Sequence, residues 1–492
     1  MKVWLLVFLI STTTWAQSTR DVSSVIARGQ KLAAEGQFEP AETLYEAALR
    51  DVPGNADLLF ELGMLHLRQH DWPKAIESFQ KSLHVVPGRT KTLFYLAEAY
   101  FLESDFDQAR ETIAQAVATA PNDAQVLQKY GEYLSAKLET RREGLVQLQK
   151  AKGLTPKLER IDFDIGKTQF DLTDFSGASA SFETALKKNP KDIQAAFFLA
   201  ETSAKLEDWQ KAHEFYEYAL AHGDSSGRAY YGLGHAAAEL GNFAAAVDPL
   251  RHALSVQPSL IQAHFQLARV YRQISRAEDA QREASLFSAM NDRIDTSKEL
   301  QGPEEARAWR DVKPLLEKNE EEKALDYLSG LPNASSHGYA YYLLGAMYFS
   351  AGQGENAQRV LTEAATLAPQ DARVRAFLGM VQMSSGHLTS AEVSFQSALQ
   401  LESDQPLALI GMGGLRYQQQ QWKDAILYLE KSRTADPNTL LLLCDAYFRT
   451  GNRDEALLNA EVVRAFASDR PEVMNHLNDL VQRYERSSSQ AK

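Results

Sequence analysis

The chain has 492 residues, 44 % hydrophobic and 24 % charged, with only 16 Pro and 27 Gly. These proportions exclude a low-complexity or collagen-like chain and leave room for three ordinary domains or one long repeat array. The formal net charge of −13 is carried along the whole chain rather than in a tail. That argues against a nucleic-acid binder, because phosphate recognition needs a basic surface.

Residues 1–16 read as a signal peptide. Lys2 gives a short positive start, Val3 to Ile10 is an unbroken apolar run, and the small residues Thr14 and Ala16 precede Gln17. This is the layout of a cleavable export signal. The apolar run is too short for a hydrocarbon core, which needs about 20 residues. The expectation is an exported chain, periplasmic or secreted in a bacterial envelope, and not membrane-spanning after cleavage. Cys444 is the one cysteine, so no intrachain disulfide can form.

From residue 17 to 287 the sequence is periodic. Small residues recur at Gly29, Gly63, Ala97, Gly131, Gly166, Ala200, Gly234 and Ala268, at spacings of 34 or 35. A second small series follows each by 12 or 13 residues, as at Ala41, Ala75, Gly144 and Ala246. Four residues further on stands a large apolar residue in most units, such as Tyr45, Phe79, Phe182 and Tyr216. Prolines close many units, among them Pro53, Pro87, Pro190 and Pro258. Each unit reads as two antiparallel helices, with small residues allowing close backbone approach. Segments such as His70-Asp71-Trp72 make the turn, and the closing proline stops the second helix. One pair cannot bury its apolar face alone, so units must stack.

The pattern lapses over 288–303, an expected irregular linker between two arrays. It resumes over 304–470 with a degenerate unit around Trp309, Val312, Ala324 and Leu328. Four more units follow at Gly345, Gly379, Gly413 and Cys444. Residues 471–486 read as a capping helix and 487–492 as a disordered tail.

The 34-residue period, with its Leu-Gly, Ala, aromatic and Pro slots, resembles the tetratricopeptide repeat family over nearly all of residues 20–470. The resemblance implies an all-α fold, an α-solenoid superhelix of about 12–13 stacked antiparallel helix pairs. It also implies a concave groove lined by the first helices, and binding of protein or peptide partners rather than catalysis. The family's carboxylate clamp for chaperone tails is not matched, because aromatic residues fill the slots of its leading Lys.

Three residues before each small slot stand Phe60, Phe94, Gln128, Phe163, Phe197, Tyr231, Phe265 and Tyr342. This aromatic row, broken at Gln128, is a candidate ligand-binding ladder for peptide or sugar, though aromatics here also serve packing between units. Arg228, His235, Arg269 and Arg272 form a candidate basic cluster for an anionic segment. No cofactor, metal or catalytic constellation is expected. His66 and His70 are four apart, but no Glu follows His66 as a zinc-protease helix requires. Gly411-Met412-Gly413-Gly414 lies inside a repeat helix. The functional expectation is a non-catalytic exported scaffold in an envelope assembly, with polysaccharide-export binding as the alternative.

Overall fold

The structure is a computed structural model that describes residues 22–291, 293, 303–318, 320–331 and 337–490. The expected signal peptide, most of the expected linker, and residues 491 and 492 lie outside them. The described residues are helical almost throughout and divide into two compact units between Asp224 and Ser225.

The first unit holds six helix pairs. Helix α1 covers 22–34. It is followed by α2 (Phe38–Asp51), α3 (Ala56–Arg68), α4 (Trp72–Val85), α5 (Thr90–Leu102), α6 (Phe106–Thr119) and α7 (Ala124–Ser135). Then come α8 (Arg141–Leu154), α9 (Ile161–Asp171), α10 (Phe175–Lys188), α11 (Ile193–Lys205) and α12 (Trp209–Ala221).

The second unit holds seven pairs and a final helix. It runs α13 (Gly227–Glu239), α14 (Phe243–Val256), α15 (Ile261–Gln273), α16 (Ala277–Asn291), α17 (Pro303–Glu317), α18 (Glu321–Ser329), α19 (His337–Ser350) and α20 (Gly354–Leu367). The rest are α21 (Ala372–Ser384), α22 (Leu388–Leu401), α23 (Pro406–Gln418), α24 (Trp422–Ser432), α25 (Pro437–Arg449), α26 (Arg453–Phe466) and α27 (Pro471–Gln490).

Why each pair closes is visible in one contact. A Cβ added at Gly63 would sit 2.5 Å from the ring of Phe79, and one at Gly379 would sit 2.6 Å from the ring of Phe395. The small residue of the first helix is therefore a socket, and the large residue sixteen positions later is its plug. The plugs Tyr45, Phe79, Phe182 and Phe395 are all fully buried, as close-packed interiors require. Between the helices the turn residue takes a left-handed conformation. Glycine fills this slot at Gly36, Gly241 and Gly386, but His70, Ser104, Thr173 and Glu207 adopt it as well, at a steric cost of about 1–2 kcal/mol each. The next residue then caps the second helix: Asp71, Asp105, Asp174 and Asp208 each accept from the backbone N–H three positions on.

Two boundaries differ from the sequence reading. The interruption expected to separate two arrays lies inside the second unit. Helix α16 runs to Asn291, and its Met290 packs in one core with Leu440, Val463 and Leu477. Arg293 donates to the Thr434 carbonyl at 3.3 Å and to Asn459 Oδ1 at 2.8 Å. The chain divides instead near the proline-free turn around Gly223 (φ 110°). The last helix also continues past Arg486 to Gln490, into the segment expected to be a disordered tail. No Gly or Pro in Ser487-Ser488-Ser489-Gln490 interrupts its hydrogen-bond ladder.

Candidate functional site

Contacts between successive pairs define an inner layer. The first helices touch one another directly, α3 with α5, α7 with α9, α9 with α11, α13 with α15, α21 with α23 and α23 with α25. Among the described residues the second helices of successive pairs make no comparable contact with each other, although α16 packs on α26 much further along the chain. Within each unit the first helices therefore form the closely packed side of the stack, on which the candidate residues fall.

The aromatic ladder falls on this layer but splits into two classes. Phe60, Phe163 and Tyr342 are only 2 %, 8 % and 4 % exposed. Each is covered by an aromatic ring exactly one slot further along the next first helix. Phe60 meets Tyr95 at 5.7 Å, Phe163 meets Phe198 at 5.8 Å, and Tyr342 meets Phe377 at 5.7 Å. A cation closes over two of them, Lys91 at 4.5 Å from the Phe60 ring and Arg160 at 4.3 Å from that of Phe163. Phe60 and Phe163, read from the sequence as candidate ligand contacts, are buried against neighbouring rings in the structure.

Phe94 and Tyr231 are half-buried, and the covering slots hold Lys129 and Gln266 instead of rings. Phe197 is half-buried too. Phe265 is the most open, 48 % exposed. Its ring packs beside Phe287 at 5.2 Å. The signal that separates the classes is in the sequence: an aromatic 35 residues downstream marks a buried member.

The basic cluster lies together in the second unit and is partly neutralised. Arg269 donates to Glu239 Oε1 at 2.6 Å, and His235 Nε2 lies 3.4 Å from the same oxygen. The Arg269 hydrogen bond holds the Glu239 carboxyl below the usual carboxylate range. Arg228 and Arg272 are exposed. Phe265, Arg269 and Arg272 share one face of α15, at helical spacings of four and three.

A second constellation, in the first unit, was not singled out by sequence reasoning. Gln128, the gap in the ladder, donates from Nε2 to Asp164 Oδ2 at 2.5 Å and to the Glu159 carbonyl at 2.9 Å. Burial, and then the negative charge of Glu132, raises the Asp164 carboxyl to about 7. Lys129 donates to Glu132 at 2.9 Å. Burial opposes the charge on Lys129, but Glu132, Glu98 and Asp164 outweigh it and hold the ammonium above its ordinary value. The Tyr133 hydroxyl is buried and has no hydrogen-bond partner among the described residues. The available signal was a Glu directly after the small slot in two consecutive units, Glu98 and Glu132.

Other candidates carry no site. Cys444 is buried, donates to the Ala456 carbonyl at 3.2 Å, and has its thiol pushed by burial up to about 12. Among the described residues no three His, Cys, Asp or Glu side chains stand where they could hold a metal ion. No described helix is long and apolar enough to cross a membrane.

Comparison with known proteins agrees with this geometry. Models described as Tetratricopeptide repeat match residues 26–90, 163–226 and 202–259, residues 66–132, and residues 338–371. A 71-residue stretch is 39 % identical to the Cellulose synthase 1 operon protein C of Komagataeibacter xylinus. That match covers 14 % of this chain and 5 % of the relative's length. Among solved structures, a tetratricopeptide repeat protein from Parabacteroides merdae aligns with a TM-score of 0.40 and 17 % identity, over 52 % of this chain and 99 % of that one. The type IV pilus biogenesis factor PilW aligns with a TM-score of 0.37 and 20 % identity, over 46 % and 96 %. With its socket-and-plug helix pairs repeating in phase and family models matching in both units, the chain belongs to the tetratricopeptide repeat family.

Proposed function

We propose that this chain is an exported, non-catalytic scaffold that holds polypeptide partners along its inner layer of first helices, as part of a bacterial envelope assembly. The observation that carries the reading is the face of α15. Phe265 offers an exposed ring beside Phe287, with Arg269 and Arg272 on the same face. Such a surface anchors an apolar side chain and an adjacent carboxylate together. Export is supported by the Lys2, Val3–Ile10 and Thr14–Ala16 layout.

The test is photo-crosslinking in the native host. A photoreactive residue replacing Phe197 or Phe265 should capture discrete polypeptides. The same residue replacing Val393, exposed on the second helix α22, should not. Identical capture from all three positions would overturn the reading. For a captured partner, Arg269→Ala with Arg272→Ala should weaken binding by roughly 1–3 kcal/mol, measured by titration at low salt.

A second reading, binding of polysaccharide during its export, is favoured by the match to a protein named for the cellulose synthase operon and by the half-buried rings Phe94 and Phe197. Oligosaccharide binding that disappears in Phe94→Ala with Phe197→Ala would select it over the first.

A further inference from the structure

We propose that α5, α7 and α9 together form a receptor site for a basic side chain, a lysine ammonium or arginine guanidinium carried by a bound polypeptide. This deepens the scaffold reading above and rests on it. Three successive first helices each contribute a carboxylate, Glu98 from α5, Glu132 from α7 and Asp164 from α9. Lys129 is the cation that all three act upon, and it is bonded directly to Glu132 alone. Arg160 also acts on Asp164, but its guanidinium is committed to Asp192, to Gln194 and to the face of Phe163. Glu98 and Glu132, joined by Asp164 as it ionises near pH 7, outnumber the one committed ammonium and leave an excess of negative charge. The excess sits in a half-buried layer, where water screens it poorly.

Tyr133 points independently to a ligand. It is 7 % exposed, and its hydroxyl has no partner among the described residues. Its ring stacks on Phe101 at 4.7 Å, which fixes the direction of the hydroxyl, and lies 5.9 Å from the Lys129 ammonium. The charged groups that act on the phenol are Glu98 and Glu132. A buried hydroxyl without a hydrogen bond is costly, and this one lies among carboxylates that share a single ammonium. The described side chains do not converge closely enough for a metal ion. That favours a larger cation with several N–H donors, able to reach carboxylates on different helices and the phenol oxygen at once. Gln128 fits this scheme: a phenyl ring in its place would leave Asp164 without the donor that orients it.

The experiment titrates the full chain with fluorescein-labelled tetralysine, tetraarginine and tetra(Nε-acetyl)lysine at low salt. Tetralysine or tetraarginine should bind at least 10-fold more tightly than the acetylated peptide, and the better of the two names the preferred head group. Glu98→Gln with Glu132→Gln should weaken that binding at least 10-fold. Glu214→Gln with Glu363→Gln, which remove two exposed carboxylates from second helices, should leave it unchanged. Should the site double variant misfold, Tyr133→Phe, which removes only the hydroxyl, should weaken binding 3- to 10-fold. Equal binding of the acetylated peptide, an equal loss in the control double variant, or unchanged affinity in Tyr133→Phe would each overturn the proposal. Photo-crosslinking from positions 197 and 265 separates the two readings. Selective capture there with no tetralysine binding removes this site and leaves the scaffold reading standing. Loss of selective capture removes the scaffold reading, and the titration still decides this site.

Discussion

Asp164 shows what a repeat surface can do to a single carboxyl. Its folded value of about 7 stands well above the ordinary 3.8, because burial and Glu132 both disfavour its charge. Lys129 and Arg160 pull the other way and do not prevail. The sign follows from proton linkage. Between the two values the folded chain holds its proton more tightly than the unfolded chain. The contribution of this group to stability is therefore fully present at low pH and is lost as pH rises toward 7. Asp164→Asn keeps an acceptor for Gln128 and carries no charge. Urea unfolding should find it more stable than the parent at pH 8 by about 1–3 kcal/mol, with the difference vanishing near pH 4. A difference of constant size across that range would contradict the assignment. The cost of ionising Asp164 suits a surface that awaits a cation.

At the scale of elements, the helix pair was legible because its decisive contact is short in sequence. Gly63 and Phe79, or Gly379 and Phe395, are sixteen residues apart and meet inside one unit. The ladder was only half legible, because the exposure of each ring depends on a residue in the next unit. Phe60 and Phe265 occupy the same slot, yet Tyr95 covers one, while the other stays 48 % exposed beside Phe287. The contact between α16 and α26 was not legible at all. It joins residues 141 and 166 positions apart through Arg293, and no periodicity reports on it. Burial lowers the Arg293 guanidinium from its ordinary value, with Glu430 and Tyr447 opposing the shift, so the group is a polar tie inside a largely apolar junction. Arg293→Ala leaves the Thr434 carbonyl and Asn459 short of a donor. It should destabilise the second unit by about 1–3 kcal/mol. Hydrogen exchange should show the loss in α26 and not in α21 or α22.

At the largest scale, a repeat stack buries each pair against its neighbours, so its last pair needs covering. Helix α27 does this for the last pair, burying Val473, Leu477 and Leu480 in the core that contains Leu440 and Val463. A chain truncated after Asp469 would expose that apolar surface. Sedimentation should then show stronger concentration-dependent self-association than in the full chain, whereas unchanged sedimentation behaviour would mean the last pair caps itself. The same stacking explains why the function was harder to read than the fold. Repetition enforces the packing slots in every unit, while the residues of the inner row vary from unit to unit, as Gln128 and Phe265 do.

Cys444 has a practical consequence. With its thiol buried, bonded to Ala456 and pushed up to about 12, it stays protonated and out of reach of maleimides near neutral pH. Any cysteine introduced at an exposed position is then the sole point of attachment. Pairs of fluorophores or spin labels can be set along either unit without removing a native residue, turning each unit into a molecular ruler for its own stretching when a partner binds.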